Sequence, residues 1–168
     1  MFRKRERGLT LLELLVVLAI IGILSAIAIV NYFSALTRAR QKRTVADIRT
    51  IAMAWESRAS EAMRYNAAGF TFPSGAVSYE QLSTMLMPTY AKNLPRMDGW
   101  SRPLEFSVVA PGGPSGAGPA NAYAIRSAGR DGRFETTYTP GASTDPDCDI
   151  VFSGSAFIVY PDVIQTER

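Results

Sequence analysis

Leu14–Val30 reads LLVVLAIIGILSAIAIV, seventeen residues without a charge. At ~1.5 Å per residue the run spans ~26 Å as a helix, close to the ~30 Å hydrocarbon core of a bilayer. One carboxylate, Glu13, stands directly before it, and a short basic head, MFRKRERG, precedes that. A removed secretory signal would share the basic start and the apolar middle, and would close on a small-residue cleavage site. None of the A-x-A type follows the run before Arg38, and the helical pattern continues past it. The run is therefore read as the first half of a retained helix.

Beyond Val30 the sequence gives that helix no reason to stop. Asn31-Tyr32-Phe33 forms an aromatic step of the kind found where a helix leaves a bilayer. No Pro or Gly interrupts from Ser25 to Ala68. After Arg38, Arg40, Lys42 and Arg43, the residues Val45, Ile48, Ile51, Ala52, Trp55, Ala59 and Met63 recur in steps of three and four. That spacing puts one apolar stripe on a helix, with Asp47, Arg49, Glu56, Arg58 and Glu61 mostly elsewhere. One helix is expected from about Leu9 to about Tyr65, ending at Asn66 and Gly69, with the stripe serving as core.

The rest of the chain alternates loop and short elements. Phe70-Thr-Phe-Pro-Ser-Gly75 reads as loop. A short helix is expected from Tyr79 to Met87, with Ser78 and Gln81 at capping-box spacing and Pro88 closing it. Leu104–Val109 alternates as a strand, and the run APGGPSGAGPA over 110–120 reads as a hairpin loop leading to a partner strand over Asn121–Arg126. Ser155–Tyr160 gives a third strand. The expected fold class is α+β, a small antiparallel sheet packed on the second half of one long helix.

Charge and composition narrow the function. The net charge is +3, and the four basic residues of the head against Glu6 account for all of it. The remaining 160 residues carry 14 basic and 14 acidic side chains, so the high pI orients a membrane helix and does not point to nucleic acid. Basic residues before an apolar run stay cytoplasmic, which sends the C-terminal domain across the membrane. The chain contains no His, which removes Ser-His-Asp, Cys-His and His-ligated zinc chemistry. Gly113-Pro-Ser-Gly116 breaks the spacing of a nucleophile elbow, and there is no phosphate-binding G-x-x-x-x-G-K-[ST] loop. Cys148 is the only cysteine and lies between Asp147 and Asp149, whose charges should raise its pKa. An enzyme is not expected.

The junction Gly8-Leu9-Thr10-Leu11-Leu12-Glu13 resembles the signal of the type IV pilin and type II secretion pseudopilin superfamily. The resemblance implies a leader of residues 1–8 and a cut between Gly8 and Leu9 by a membrane-embedded prepilin peptidase. It also implies methylation of the new amine on Leu9 and a Glu at the fifth mature position, here Glu13. Residues 9–33 would then be the transmembrane and assembly helix, and 34–168 a pilin-like globular domain in the periplasm, or outside the cell in a pilus. A lone carboxylate at the edge of hydrocarbon either rests in the headgroup zone or needs a partner. The implied partner is the charged N-terminus of the next subunit, because one buried charge pair fixes register where Leu slides on Leu. Ser25, Gly22 and the Ala residues permit close helix approach.

Three later passages are similar to those of the type II secretion major pseudopilin. Asn93-Leu-Pro-Arg-Met-Asp-Gly-Trp-Ser-Arg-Pro-Leu-Glu-Phe106 is similar to its LP-x-D-P-W-G-x-P-x-x-Y passage, with Asp98-Gly99-Trp100 departing from it. Ser127-Ala-Gly-Arg-Asp-Gly132 resembles S-x-G-x-D-G, and Asp147-Cys-Asp-Ile150 resembles D-D-I. The resemblance implies a homo-oligomeric helical filament of inner-membrane origin that drives protein export. It would work with an assembly platform, minor pseudopilins and a cytoplasmic ATPase supplied by other chains. The alternative is a type IV pilin or minor pilin for adhesion, motility or DNA uptake. The resemblance to the major pseudopilin further implies Ca²⁺ in the late loop, with Asp131, Asp147 and Asp149 as ligands. Asp145, Asp147 and Asp149 share the opening spacing of an EF-hand, but Ile150 and Ala156 stand where that loop needs Gly and Glu. A hard-cation site of Asp131, two late aspartates and backbone carbonyls remains the expectation, against a solvated acidic loop.

Overall fold

The computed structural model describes residues 10–65, 75–109 and 120–162. The chain divides into two compact units, Met1–Thr37 and Arg38–Arg168. A single α-helix, α1, covers Leu11–Ala62. Among the described residues it is the one helix long and apolar enough to cross a membrane, and none of its apolar window is buried. Leu14, Leu18, Ile21, Leu24, Ile27 and Val30 are all exposed, as are Leu15, Ile20 and Ile23. A helix that is apolar on every side has lipid or another helix as its natural surroundings.

Within the second unit α1 behaves as the periodicity requires. Gln41, Thr44, Val45, Ile48, Ile51, Ala52, Ala54, Trp55 and Arg58 form its buried face. Ile48, Ile51 and Trp55 have no exposed surface. The helix stops three residues before the expected end. Met63 takes φ 55°, which breaks the turn, and it is therefore exposed instead of completing the stripe. The reversal brings Tyr65 back onto the core, where its amide donates to Ala120 O at 3.0 Å and its carbonyl accepts from Trp55 Nε1 at 2.8 Å. Arg58, expected off the apolar face, is buried.

A six-stranded sheet packs on this face, in the order β1-β2-β3-β5-β6-β4. Its strands are β1 (Gly75–Val77), β2 (Glu105–Val109), β3 (Ala122–Ser127), β4 (Gly141–Ser143), β5 (Ile150–Ser153) and β6 (Ala156–Pro161). Antiparallel pairing sets Phe106 opposite Ile125, Val108 opposite Tyr123 and Ile125 opposite Phe152. Those five side chains are buried with Ile48 and Trp55 in one core. Alternation puts them all on one face, since a strand repeats every two residues. Tyr123 lies 4.7 Å from Trp55 and 4.7 Å from Tyr65 between ring centroids.

The expected strands over 104–109, 121–126 and 155–160 are present within a residue at each end. Three strands were not foreseen, and one of them, β4, runs parallel to β6, so the sheet is mixed and not wholly antiparallel. The short helix α2 (Tyr79–Leu86) has the expected reciprocal cap: Gln81 N donates to Ser78 Oγ and Ser78 N to Gln81 Oε1. Leu82 and Leu86 carry it onto the core. The expected helix end at Asn66 and Gly69, the loop over 70–74 and the hairpin tip over 110–119 lie outside the described residues.

Candidate functional site

The first candidate is the start of α1. Thr10 caps it: Glu13 N donates to Thr10 Oγ1 at 3.2 Å and Leu14 N to Thr10 O at 3.3 Å. Threonine suits this place because its hydroxyl satisfies an amide that has no partner within the helix. Glu13 thus stands in the first turn, at the positive end of the helix dipole, which favours a carboxylate by ~0.3–1 kcal/mol. The cap fixes where the helix begins, and with it the position of the carboxylate relative to the apolar side chains that follow. Gly8 and Leu9 lie outside the described residues.

The second candidate is the loop between β3 and β5, and here the structure joins passages that are far apart in sequence. Asp98 is buried and holds three donors: Trp100 N at 2.8 Å and Arg102 N at 2.9 Å on Oδ1, and Ser127 Oγ at 2.8 Å on Oδ2. Gly99 N donates to Thr44 Oγ1 of α1 at 2.9 Å. A Cβ on Gly99 would come 2.3 Å from Arg40 O, so only glycine lets this turn lie against the helix. Arg102 then reaches Gly129 O at 2.9 Å. Asp98, Gly99 and Arg102 therefore tie the Asp98-Gly-Trp turn, the helix and the Ser127–Gly132 turn together. Only the motif likeness flagged these residues, and their roles depend on tertiary contacts that no spacing encodes.

The three aspartates expected to hold a cation have separate partners. Asp131 is exposed, and its Oδ1 accepts from Arg133 N at 2.9 Å. Both oxygens of Asp147 are taken by Arg130, Nε at 2.7 Å and Nη2 at 2.8 Å. Hydrogen bonding to that guanidinium holds the Asp147 carboxyl below its ordinary value. Asp149 is buried; its Oδ2 accepts from Tyr138 OH at 2.9 Å and Glu135 N at 3.0 Å. Burial pushes its carboxyl upward against those two donors, and its Oδ1 has no hydrogen-bond partner. Among the described residues no three His, Cys, Asp or Glu stand close enough to hold a metal ion. One orphaned oxygen is compatible with a cation, but the donor set as a whole does not fit one.

Cys148 has a raised pKa, in the direction expected but for another reason. A hydrogen bond with Ser143 favours the thiolate, and burial together with the Glu135 and Asp145 carboxylates outweighs it. The flanking Asp147 and Asp149 point to other partners. Tyr123 donates to Glu56 Oε1 at 2.6 Å, and burial followed by that bond drives its pKa well up. Both groups are poor nucleophiles at neutral pH.

Comparison with known proteins identifies the family. The Prokaryotic N-terminal methylation motif matches residues 3–29. The type II secretion system core protein G of Pseudomonas aeruginosa is 30% identical over 144 residues, 79% of this chain and 91% of that protein. That of Dickeya chrysanthemi is 31% identical over 148 residues, 88% of this chain and 86% of that protein. The type IV major pilin protein PilA of Myxococcus xanthus is 43% identical, but over only 65 residues, 39% of this chain and 30% of that protein. No solved structure matches the chain. Similarity to the pilin is confined to about the length of the helix, whereas similarity to the secretion proteins runs on through the sheet. The chain belongs to the pseudopilin family of type II secretion system core protein G.

Proposed function

We propose that the chain is a structural subunit of a type II secretion pseudopilus, cut between Gly8 and Leu9 by a prepilin peptidase and methylated on Leu9. It waits in the inner membrane as a single-pass protein with residues 34–168 in the periplasm. It assembles through α1 into a helical filament on an inner-membrane platform with minor pseudopilins, and the growing filament drives export. In this account Glu13 receives the charged amine of the neighbouring subunit. The exposed apolar surface of α1 supplies the packing, and the domain forms the outside of the filament. No catalytic step is assigned to the chain, and the energy comes from an ATPase elsewhere.

The observation that carries this reading over a type IV pilin is the reach of the similarity, 79% of the chain for a core protein G against 39% for a pilin. Deleting the gene from its own host tests it. Export substrates should accumulate in the periplasm, twitching and DNA uptake should persist, and the wild-type gene should restore export. Normal export with lost twitching would replace the pseudopilus by a pilus.

A further inference from the structure

We infer that the loop from Ala128 to Asp149 is closed by an internal arginine clamp, with Arg130 standing where a bound cation would otherwise bridge the chain, so that the loop folds without calcium. The inference concerns the fold of the domain and holds whichever filament the chain builds.

The clamp begins at Arg130. Its guanidinium forks onto both oxygens of Asp147, and its amide donates to Pro146 O at 3.0 Å. The two ends of the loop are thereby joined through main chain and side chain at once. A planar fork on a carboxylate fixes geometry in a way a point charge does not. Gly129, at φ 57°, allows the close approach, because a Cβ there would lie 2.5 Å from Cys148 O. From the other side Arg102 Nη1 donates to Gly129 O, which places a second guanidinium against the same turn.

A third arginine closes the inner end. Arg126 forks onto Glu105 Oε2 at 2.8 and 2.6 Å and stacks 4.1 Å above the Phe134 ring. It also donates to Tyr138 OH at 2.9 Å, and that hydroxyl donates onward to Asp149 Oδ2. Arg126, Tyr138 and Asp149 thus form a relay from strand β3 to the residue just before β5. Calcium takes six to eight oxygens, usually with several carboxylates turned to one point. Here Asp147 faces Arg130, Asp149 faces Tyr138, and Asp131 folds onto its own turn. Of the three carboxylates, Asp147 is neutralised by the Arg130 guanidinium, and Arg126 reaches Asp149 through the Tyr138 hydroxyl. An exposed ion pair alone contributes little, so the effect is expected to be local rather than global.

Hydrogen exchange on the full chain in detergent reads this directly. Amides in 128–149 should exchange at the same rate in millimolar CaCl₂ and in EGTA. Arg130→Gln and Asp147→Asn should each speed exchange in that segment several-fold in both buffers, while the amides of β2 and β3 keep their protection. Slower exchange of the wild-type loop in CaCl₂ than in EGTA would overturn the inference. So would Arg130→Gln and Asp147→Asn loops that exchange like wild type.

Discussion

Glu13→Ala is expected to enter the membrane as wild type does and to fail in filament assembly. Insertion should not suffer, because the substitution makes an apolar helix more apolar. Assembly should, because the charged amine of the neighbouring subunit is then left unpaired in hydrocarbon, at a cost on the order of 3–5 kcal/mol. That corresponds to roughly two to four orders of magnitude in subunit association. Thr10→Ala separates this effect from helix capping. It removes the hydroxyl that accepts from Glu13 N, at a cost of ~1 kcal/mol to the helix start, and keeps the carboxylate. It should therefore still assemble. Cross-linking of overproduced subunits is the readout, and a wild-type ladder from Glu13→Ala would remove the charge pair from the account.

Trp55→Ala should unfold the domain or nearly so. Trp55 is fully buried, its ring packs tilted 4.7 Å from Tyr123 and edge-on 6.5 Å from Phe106 between centroids, and its Nε1 donates to Tyr65 O. Truncating a core tryptophan costs ~3–5 kcal/mol, a large share of the ~5–15 kcal/mol that holds a domain together. It also strips the Tyr65 carbonyl of its donor. Trp55→Phe keeps most of the ring and loses the hydrogen bond, so it should cost only about 1–2 kcal/mol. Thermal unfolding of the full chain in detergent, followed by far-ultraviolet circular dichroism, distinguishes the two. Equal melting of wild type and Trp55→Ala would mean that the helix stripe is not the core.

Much of this was legible because the signals are local and periodic. The uncharged run, the three-four stripe from Val45 to Trp55 and the Ser78/Gln81 box each determine an element without help from the rest of the chain. The strands over 105–109, 122–127 and 156–161 show the two-residue alternation that marks one buried face. What escaped lacks such a period. Gly141–Ser143 has no apolar side chain of any size and becomes a strand only because β6 offers it an edge. Ile150–Ser153 begins with three buried residues in succession, a pattern shared by loops, helices and strands.

The site was half legible for a similar reason. Glu13 stands out because a charge beside seventeen uncharged, mostly apolar residues needs an explanation wherever the chain folds. The aspartates of the late loop do not, because the spacing of carboxylates is the same whether they face a cation or an arginine. Arg130 and Arg102 reach this loop across 17 and 27 residues, a placement that belongs to the tertiary structure. The Asp98 hub shows the same limit: Thr44, Asp98 and Ser127 come from three separate parts of the chain to make one turn rigid.

The central claim is that α1 becomes a filament helix by acquiring a new, charged N-terminus four residues before Glu13. Intact mass of the protein extracted from membranes of its own host tests it most directly. The account predicts the mass of residues 9–168 plus one methyl group, with fragmentation placing the methyl on the amine of Leu9. A protein that retains residues 1–8, or one that begins at Ser25 or beyond, would contradict it.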